Sequence, residues 1–280
     1  MDSALLTPDL LAPGDKKSAS LDTAQFTWSR IRSSKDPLFE TAYAVLWQEF
    51  GTAHEMETRD VLAARLCNSG MFRYEILLVR RGAEVAAVRD HTAIACDGEI
   101  IVHLSHLLVA PDWRRSGLAG WMRAAPILVG RELAAANGTP SCDVTLVGEM
   151  EYDDGNDPRR ALRLLAYERA GYLKIDPRVV RYHQPDFRPP ELIDASGGAR
   201  PLPFQLIIRR VGRETERSIS VRELRRVVRA LYAMYALHFR PQDMAHEALN
   251  LEHYPEGRAE IALVPPTAAA AGNTEPPSQL

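Results

Sequence analysis

The sequence predicts an α/β protein: a mixed, mainly antiparallel sheet flanked by helices, with a helical appendage towards the C-terminus. Three observations point there. Residues 75–80, 84–95 and 100–109 are apolar runs parted by two turn signals, Arg81-Gly82 and Cys96-Asp97-Gly98-Glu99, which together read as an antiparallel meander. After the meander, strand-like and helix-like segments alternate. Beyond residue 213, apolar residues return at helical spacing.

In chain order, residues 25–32 form a strand, 37–50 a helix opening on Pro37, and 58–67 a second short helix. The meander follows. A helix is expected over 116–136, ended by Asn137-Gly138 and kinked or broken at Pro126, where the ring removes a hydrogen bond and crowds the preceding turn. Residues 143–149 are a strand and 158–170 a helix with Gly171 just past its end, and 173–175 and 204–210 close the sheet. Ser220-Val-Arg-Glu223 is a capping box, and behind it Val221, Leu224, Val227, Val228, Leu231 and Tyr235 share one helical face. A further helix is expected over 242–251. Residues 1–22 read as a flexible tail, 23–212 as the main domain, 213–262 as the helical appendage and 263–280 as a disordered tail.

The composition excludes several classes. A net charge of −3 gives no general attraction to nucleic acid or anionic membrane. No apolar stretch of about 18 residues is present to span a bilayer, and Met1-Asp2-Ser3-Ala4 is not the start of a signal peptide. Cys67, Cys96 and Cys142 are odd in number and far apart, which argues against a disulfide framework or a zinc site and for a reducing, cytoplasmic setting.

The chemistry concentrates in residues 103–120, HLSHLLVAPDWRRSGLAG. A strand ends at Val109, and a glycine-containing turn opens directly into a helix. The first N–H groups of a helix lack internal partners and sit at its positive end, so they bind phosphate. Gly117, Ala119 and Gly120 let a phosphate approach the backbone closely, and Arg114 and Arg115 add positive charge. The turn has neither the Gly-Lys-Ser/Thr of a Walker loop nor the G-x-G-x-x-G of a dinucleotide fingerprint. His103 and His106 are candidate acceptor-side groups, Glu149 and Glu151 candidate bases, and Trp113 and Trp121 are expected to pack rather than to stack on substrate.

This stretch resembles the acyl-CoA-binding motif of the GNAT superfamily of N-acyltransferases, V-x-P-x-x-R/Q-x-x-G-x-G/A, with Val109, Pro111, Arg114, Gly117 and Ala119 at its defining positions. Tyr167-Glu-Arg-Ala-Gly171-Tyr172 resembles the family's Y-x-x-x-G-[FY] helix ending, and the resemblance covers residues 24–212. It implies a GNAT-like fold and transfer of an acyl group, expected to be acetyl, from acetyl-CoA to an amine, without a metal. Leu107, Leu108 and Val109 would hold the pantetheine arm, and Arg114, Arg115, Ser116, Gly117, Leu118, Ala119 and Gly120 the pyrophosphate. Tyr167 would protonate the leaving thiolate. Glu149, His106 or an ordered water would take the amine proton. The acceptor would be an amine-bearing small molecule or protein, with a homodimer possible. A longer acyl-CoA or acyl carrier protein as donor, and a non-catalytic CoA-binding regulator, are the alternatives. The family's usual Asn before the tyrosine is replaced here by Arg160, with Asn156 off register, and the acidic run after Glu149, with Asp153, Asp154 and Asp157, is longer than a simple turn.

Overall fold

A computed structural model describes residues 1–51, 54–67, 70–153, 155–247 and 257–268. The chain divides into two compact units, Met1–Leu146 with Phe187–Pro189, and Val147–Asp186 with Pro190–Leu280.

The first unit is built on four antiparallel strands, β1 (Thr27–Ile31), β2 (Phe72–Arg81), β3 (Glu84–Cys96) and β4 (Glu99–Val109), each paired with the next. The β3–β4 hairpin turns on Asp97 and Gly98, both left-handed at φ 47° and 82°. Asp-Gly supplies the two positive φ values that a two-residue hairpin matched to the strand twist requires. Helices α2 (Phe39–Leu46) and α3 (Arg59–Arg65) bury Phe39, Ala42, Leu46 and Leu62 against Ile76 and Leu78 of β2. The helix expected over 116–136 is broken as Pro126 predicts, into α4 (Leu118–Ala124) and α5 (Pro126–Ala136). Gly130 sets the approach of α5 to β4: a Cβ there would stand 3.0 Å from Val102 and 3.2 Å from Ile100.

The N-terminal segment differs from expectation. Residues 1–22 carry short helical turns, among them α1 (Lys16–Ala19), and Leu6, Leu10, Leu11 and Ala12 are buried. Their apolar side chains outweigh the Pro, Gly and Ser content that reads as loose chain.

β5 (Val144–Met150) runs from the end of the first unit into the second. The second unit continues with α6 (Pro158–Arg169), β6 (Leu173–Ile175), β7 (Tyr182–Gln184), α7 (Pro190–Ala195), β8 (Leu202–Arg210), β9 (Ser218–Ser220), α8 (Val221–Tyr235) and β10 (Glu260–Val264). β8 pairs β7 and β6, and β10 pairs both β6 and β9, all antiparallel. The Ser220 side chain caps α8 by accepting from the Glu223 N–H at 3.1 Å, and Leu224, Val227, Val228, Leu231 and Tyr235 are buried as one face.

The appendage is therefore not purely helical. Strands β9 and β10 enter the sheet, and β10 runs past the expected boundary at residue 262 to Val264. Ile261 and Leu263, both buried, explain why this stretch pairs instead of trailing as a tail. Part of the helix expected over 242–251, together with Asp154 and residues 269–280, lies outside the described residues. Among the described residues, no helix is long and apolar enough to cross a membrane.

Candidate active site

The turn after β4 is shaped by local sequence. Leu107, Leu108 and Val109 are half-buried and pair with Arg89, Val88 and Ala87 of β3. Pro111, with its fixed φ, opens a single 3-10 turn, Pro111–Trp113. Trp113 packs edge-on against Phe26 at 5.0 Å and lies under the Arg81 guanidinium at 5.1 Å, so it is packing, as expected. Arg114 is exposed and turns back to donate from Nε to the Val109 carbonyl at 3.2 Å.

Arg115 at φ 63° and Gly117 at φ 103° then reverse the backbone into α4. Backbone N–H groups turned outward in a tight turn of this kind can form an anion-binding concavity. Ser116 Oγ donates to the Trp113 carbonyl at 2.7 Å and accepts from the Leu118 N–H at 3.2 Å. The Ser116 N–H goes to the Trp113 carbonyl and the Gly120 N–H to the Gly117 carbonyl. Of the six N–H groups in the turn, those of Arg115, Gly117 and Ala119 take no acceptor among the described residues. Leu118 is buried, and Ala119 is half-exposed.

Upstream in β4 the register slips: Leu104 stands opposite His91 and Leu107 opposite Arg89, so Ser105 and His106 together face Asp90. This bulge gives Asp90 two donors from one residue, the His106 N–H at 2.8 Å and the His106 ring Nδ1 at 2.9 Å, both to Oδ1. Tyr74 donates to the other oxygen at 3.0 Å, and His106 Nε2 reaches the Glu55 carbonyl at 2.9 Å. With an acceptor on each ring nitrogen, His106 is an imidazolium. Burial pulls its pKa down, but the Asp90 carboxylate outweighs that and raises it to about 9. Burial likewise pushes Asp90 up, and His106 outweighs it, holding the carboxyl well below the usual carboxylate range. His91 behaves oppositely: burial first, then the Arg89 charge, lowers it to about 3, so it is neutral. His103 is buried, its Nδ1 3.3 Å from Ser105 Oγ. Asp90 and Tyr74 were not singled out by sequence reasoning. The signal that could have found Asp90 is the polar run Arg89-Asp90-His91-Thr92 inside an otherwise apolar strand.

The remaining candidates lie in the second unit. Glu149 accepts from the Tyr182 hydroxyl at one oxygen, and from Tyr235 at 2.7 Å and Gln184 at 3.1 Å at the other. Burial first, then the Glu149 charge, pushes the Tyr182 phenol well above its ordinary value, so it remains a donor. Glu151 is held by Arg160 at 3.0 Å and Arg163 at 3.3 Å. Arg160 thus serves an ion pair at the position where the resembled motif has Asn. Asp157 caps α6 by accepting from the Arg159 N–H at 2.9 Å. Tyr167 is buried on α6, edge-on to Tyr172 at 4.9 Å. Among the described residues, no group of three or more His, Cys, Asp or Glu side chains is placed to hold a metal ion.

Neither known family models nor curated proteins match the chain. Solved structures do. A putative acetyltransferase of the GNAT family from Desulfovibrio desulfuricans aligns with a TM-score of 0.37 and 16% identity, over 66% of this chain and 99% of that one. The chain resembles GNAT acetyltransferases. An acetyltransferase from Streptococcus agalactiae aligns at TM-score 0.37 and 10% identity, over 65% of this chain and 98% of that one. An acyl-CoA N-acyltransferase from Pseudomonas aeruginosa aligns at TM-score 0.34 and 15% identity, over 66% and 99%.

Proposed function

We propose that this chain is an acyl-CoA-dependent N-acyltransferase of the GNAT type, transferring an acyl group, acetyl by preference, to an amine. The observation that carries the reading is the turn after β4. There a left-handed Arg115 and Gly117 leave three backbone N–H groups without an acceptor among the described residues at the start of a helix, beside two exposed arginines. In this reading Leu107, Leu108 and Val109 present backbone to the pantetheine arm, and the N–H groups of Arg115, Gly117 and Ala119 hold the pyrophosphate. The remaining residues of the turn shape it.

The reaction is direct attack of the neutral amine on the thioester carbonyl, with proximity supplying much of the acceleration. The candidate side chains bear on where the amine proton goes. His106 is already an imidazolium at neutral pH, and Glu149 and Glu151 are engaged by three and two donors. None is a ready base, which leaves ordered water as the first acceptor of the proton. Tyr167 is assigned the role of proton donor to the leaving thiolate. Three cysteines spaced far apart in the sequence are in keeping with a reducing, cytoplasmic setting.

Ala119→Glu tests the coenzyme site. A side chain fits at this half-exposed first-turn position, and an acid there favours the helix while occupying the anion site. CoA affinity measured by calorimetry should fall roughly tenfold or more with the melting temperature unchanged. Unchanged affinity would remove the assignment. An amine panel with acetyl-CoA and thiol detection tests the chemistry, and binding without thiol release would make the chain a CoA-responsive regulator. With an acceptor in hand, Tyr167→Phe should lower kcat by about 10²-fold with CoA affinity nearly constant.

A further inference from the structure

The glycines of the turn face the chain's own N-terminus. A Cβ on Gly117 would stand 2.6 Å from the Lys17 carbonyl oxygen and 2.9 Å from the Ser18 Cα. A Cβ on Gly120 would stand 1.9 Å from Ser18 Oγ and 2.3 Å from Asp15 Oδ2. Neither position accepts even alanine while this segment stays in place. Two contacts hold it there, the first and last of the following, and the middle one braces the segment internally. The Trp121 indole N–H donates to the Ser18 carbonyl at 2.7 Å, Ser18 Oγ donates to Asp15 Oδ1 at 2.5 Å, and Arg123 Nη2 lies 3.2 Å from Asp15 Oδ2. A carboxylate thus rests over the first turns of α4 against a cation, the kind of charge that a coenzyme phosphate would bring to the same helix end.

The segment is anchored upstream by buried Leu10, Leu11 and Ala12 but is weakly built where it crosses the turn. α1 has four residues, its N-cap Asp15 side chain accepts from no backbone N–H of the helix, and Pro13-Gly14 precedes it. A single turn of helix has no stability of its own. Its position therefore depends on the contacts just named.

We propose that residues 13–19 form a strap over the turn after β4, with Asp15 standing in for the coenzyme phosphate, so that CoA binds by displacing it. This inference rests on the reading of that turn as the CoA site. The strap makes the unliganded turn only fractionally open, and apparent affinity falls by that fraction. Loosening the strap strengthens CoA binding, and CoA in turn exposes the strap.

The test uses the full chain. Asp15→Asn keeps the shape of the residue and removes its charge from Arg123. By calorimetry it should bind CoA about threefold to tenfold more tightly than the native chain. Independently of any variant, trypsin should cleave after exposed Lys17 faster in native protein saturated with CoA than in native protein alone. Equal affinity of the two proteins for CoA, or protection of Lys17 by CoA, would overturn the strap while leaving the coenzyme site standing. CoA binding by neither protein would remove both.

Discussion

Two carboxylates, Asp90 in the first unit and Glu149 in the second, are held in contrasting ways. Asp90 is fully buried and meets a cation, the His106 ring, along with the same residue's N–H and the Tyr74 hydroxyl. Glu149 accepts from neutral donors, among them two phenols and an amide. The first arrangement is an ion pair, in which loss of one partner strands the other charge. The second is a solvation shell made of side chains, in which each donor can be lost at the cost of one hydrogen bond. A hydrogen-bonded acid in this protein is therefore no marker of catalysis in itself: what surrounds it decides whether it can accept a proton.

The sharpest way to break the comparison is Asp90→Ala. It leaves a buried imidazolium without its counter-charge, and should cost roughly 3–5 kcal/mol in urea unfolding monitored by circular dichroism. The pH dependence follows from the same pair. The folded-state pKa of His106 is raised above the unfolded value of about 6.5, so its contribution is complete below that pH and lost as pH rises through about 9. Asp90 is depressed, so its contribution is present above about pH 3.9 and lost as pH falls through the folded-state value. Native stability should thus decline between pH 7 and 10, and the alanine variant should lack that alkaline slope. A variant that keeps it would show that the pair is not its source.

Glu149→Gln should be milder, about 2 kcal/mol, because the amide retains an oxygen for one or more of its donors. A loss of turnover near 10²-fold or more with stability unchanged would instead make Glu149 the general base and collapse the contrast. The smallest effect is expected of Tyr74→Phe, about 1.5 kcal/mol, since Asp90 keeps both bonds to His106. A cost as large as that of Asp90→Ala would mean that the phenol, and not the imidazolium, holds the acid.

The turn at residues 109–120 was legible because it is local: Pro111, Gly117 and the helix behind them are fixed by near neighbours in sequence, as is the break at Pro126. The surroundings of Glu149 were not, because Tyr182, Gln184 and Tyr235 lie 33, 35 and 86 residues away. His106 was seen as a candidate but its charge was not, since strict alternation hides the bulge that brings both its N–H and its ring to Asp90. The N-terminal segment was misread because its leucines are spaced among Pro8, Pro13 and Gly14, which mask an apolar anchor behind the composition of a loose chain. Strands β9 and β10 escaped notice because they are three and five residues long, and no short window contains the partners that make them strands.

β10 has a consequence for biosynthesis. β6 is only three residues long, flanked by β8 on one side and β10 on the other. Its β10 partners are Leu263 and Val264. While the protein is being made, the N–H and C=O groups on that side of β6 stay open until about ninety further residues have been added. An exposed edge of this kind invites pairing with another nascent chain. Removal of the chain from Glu260 onward would make the transient edge permanent, so its loss should show itself first as self-association and only later as loss of fold.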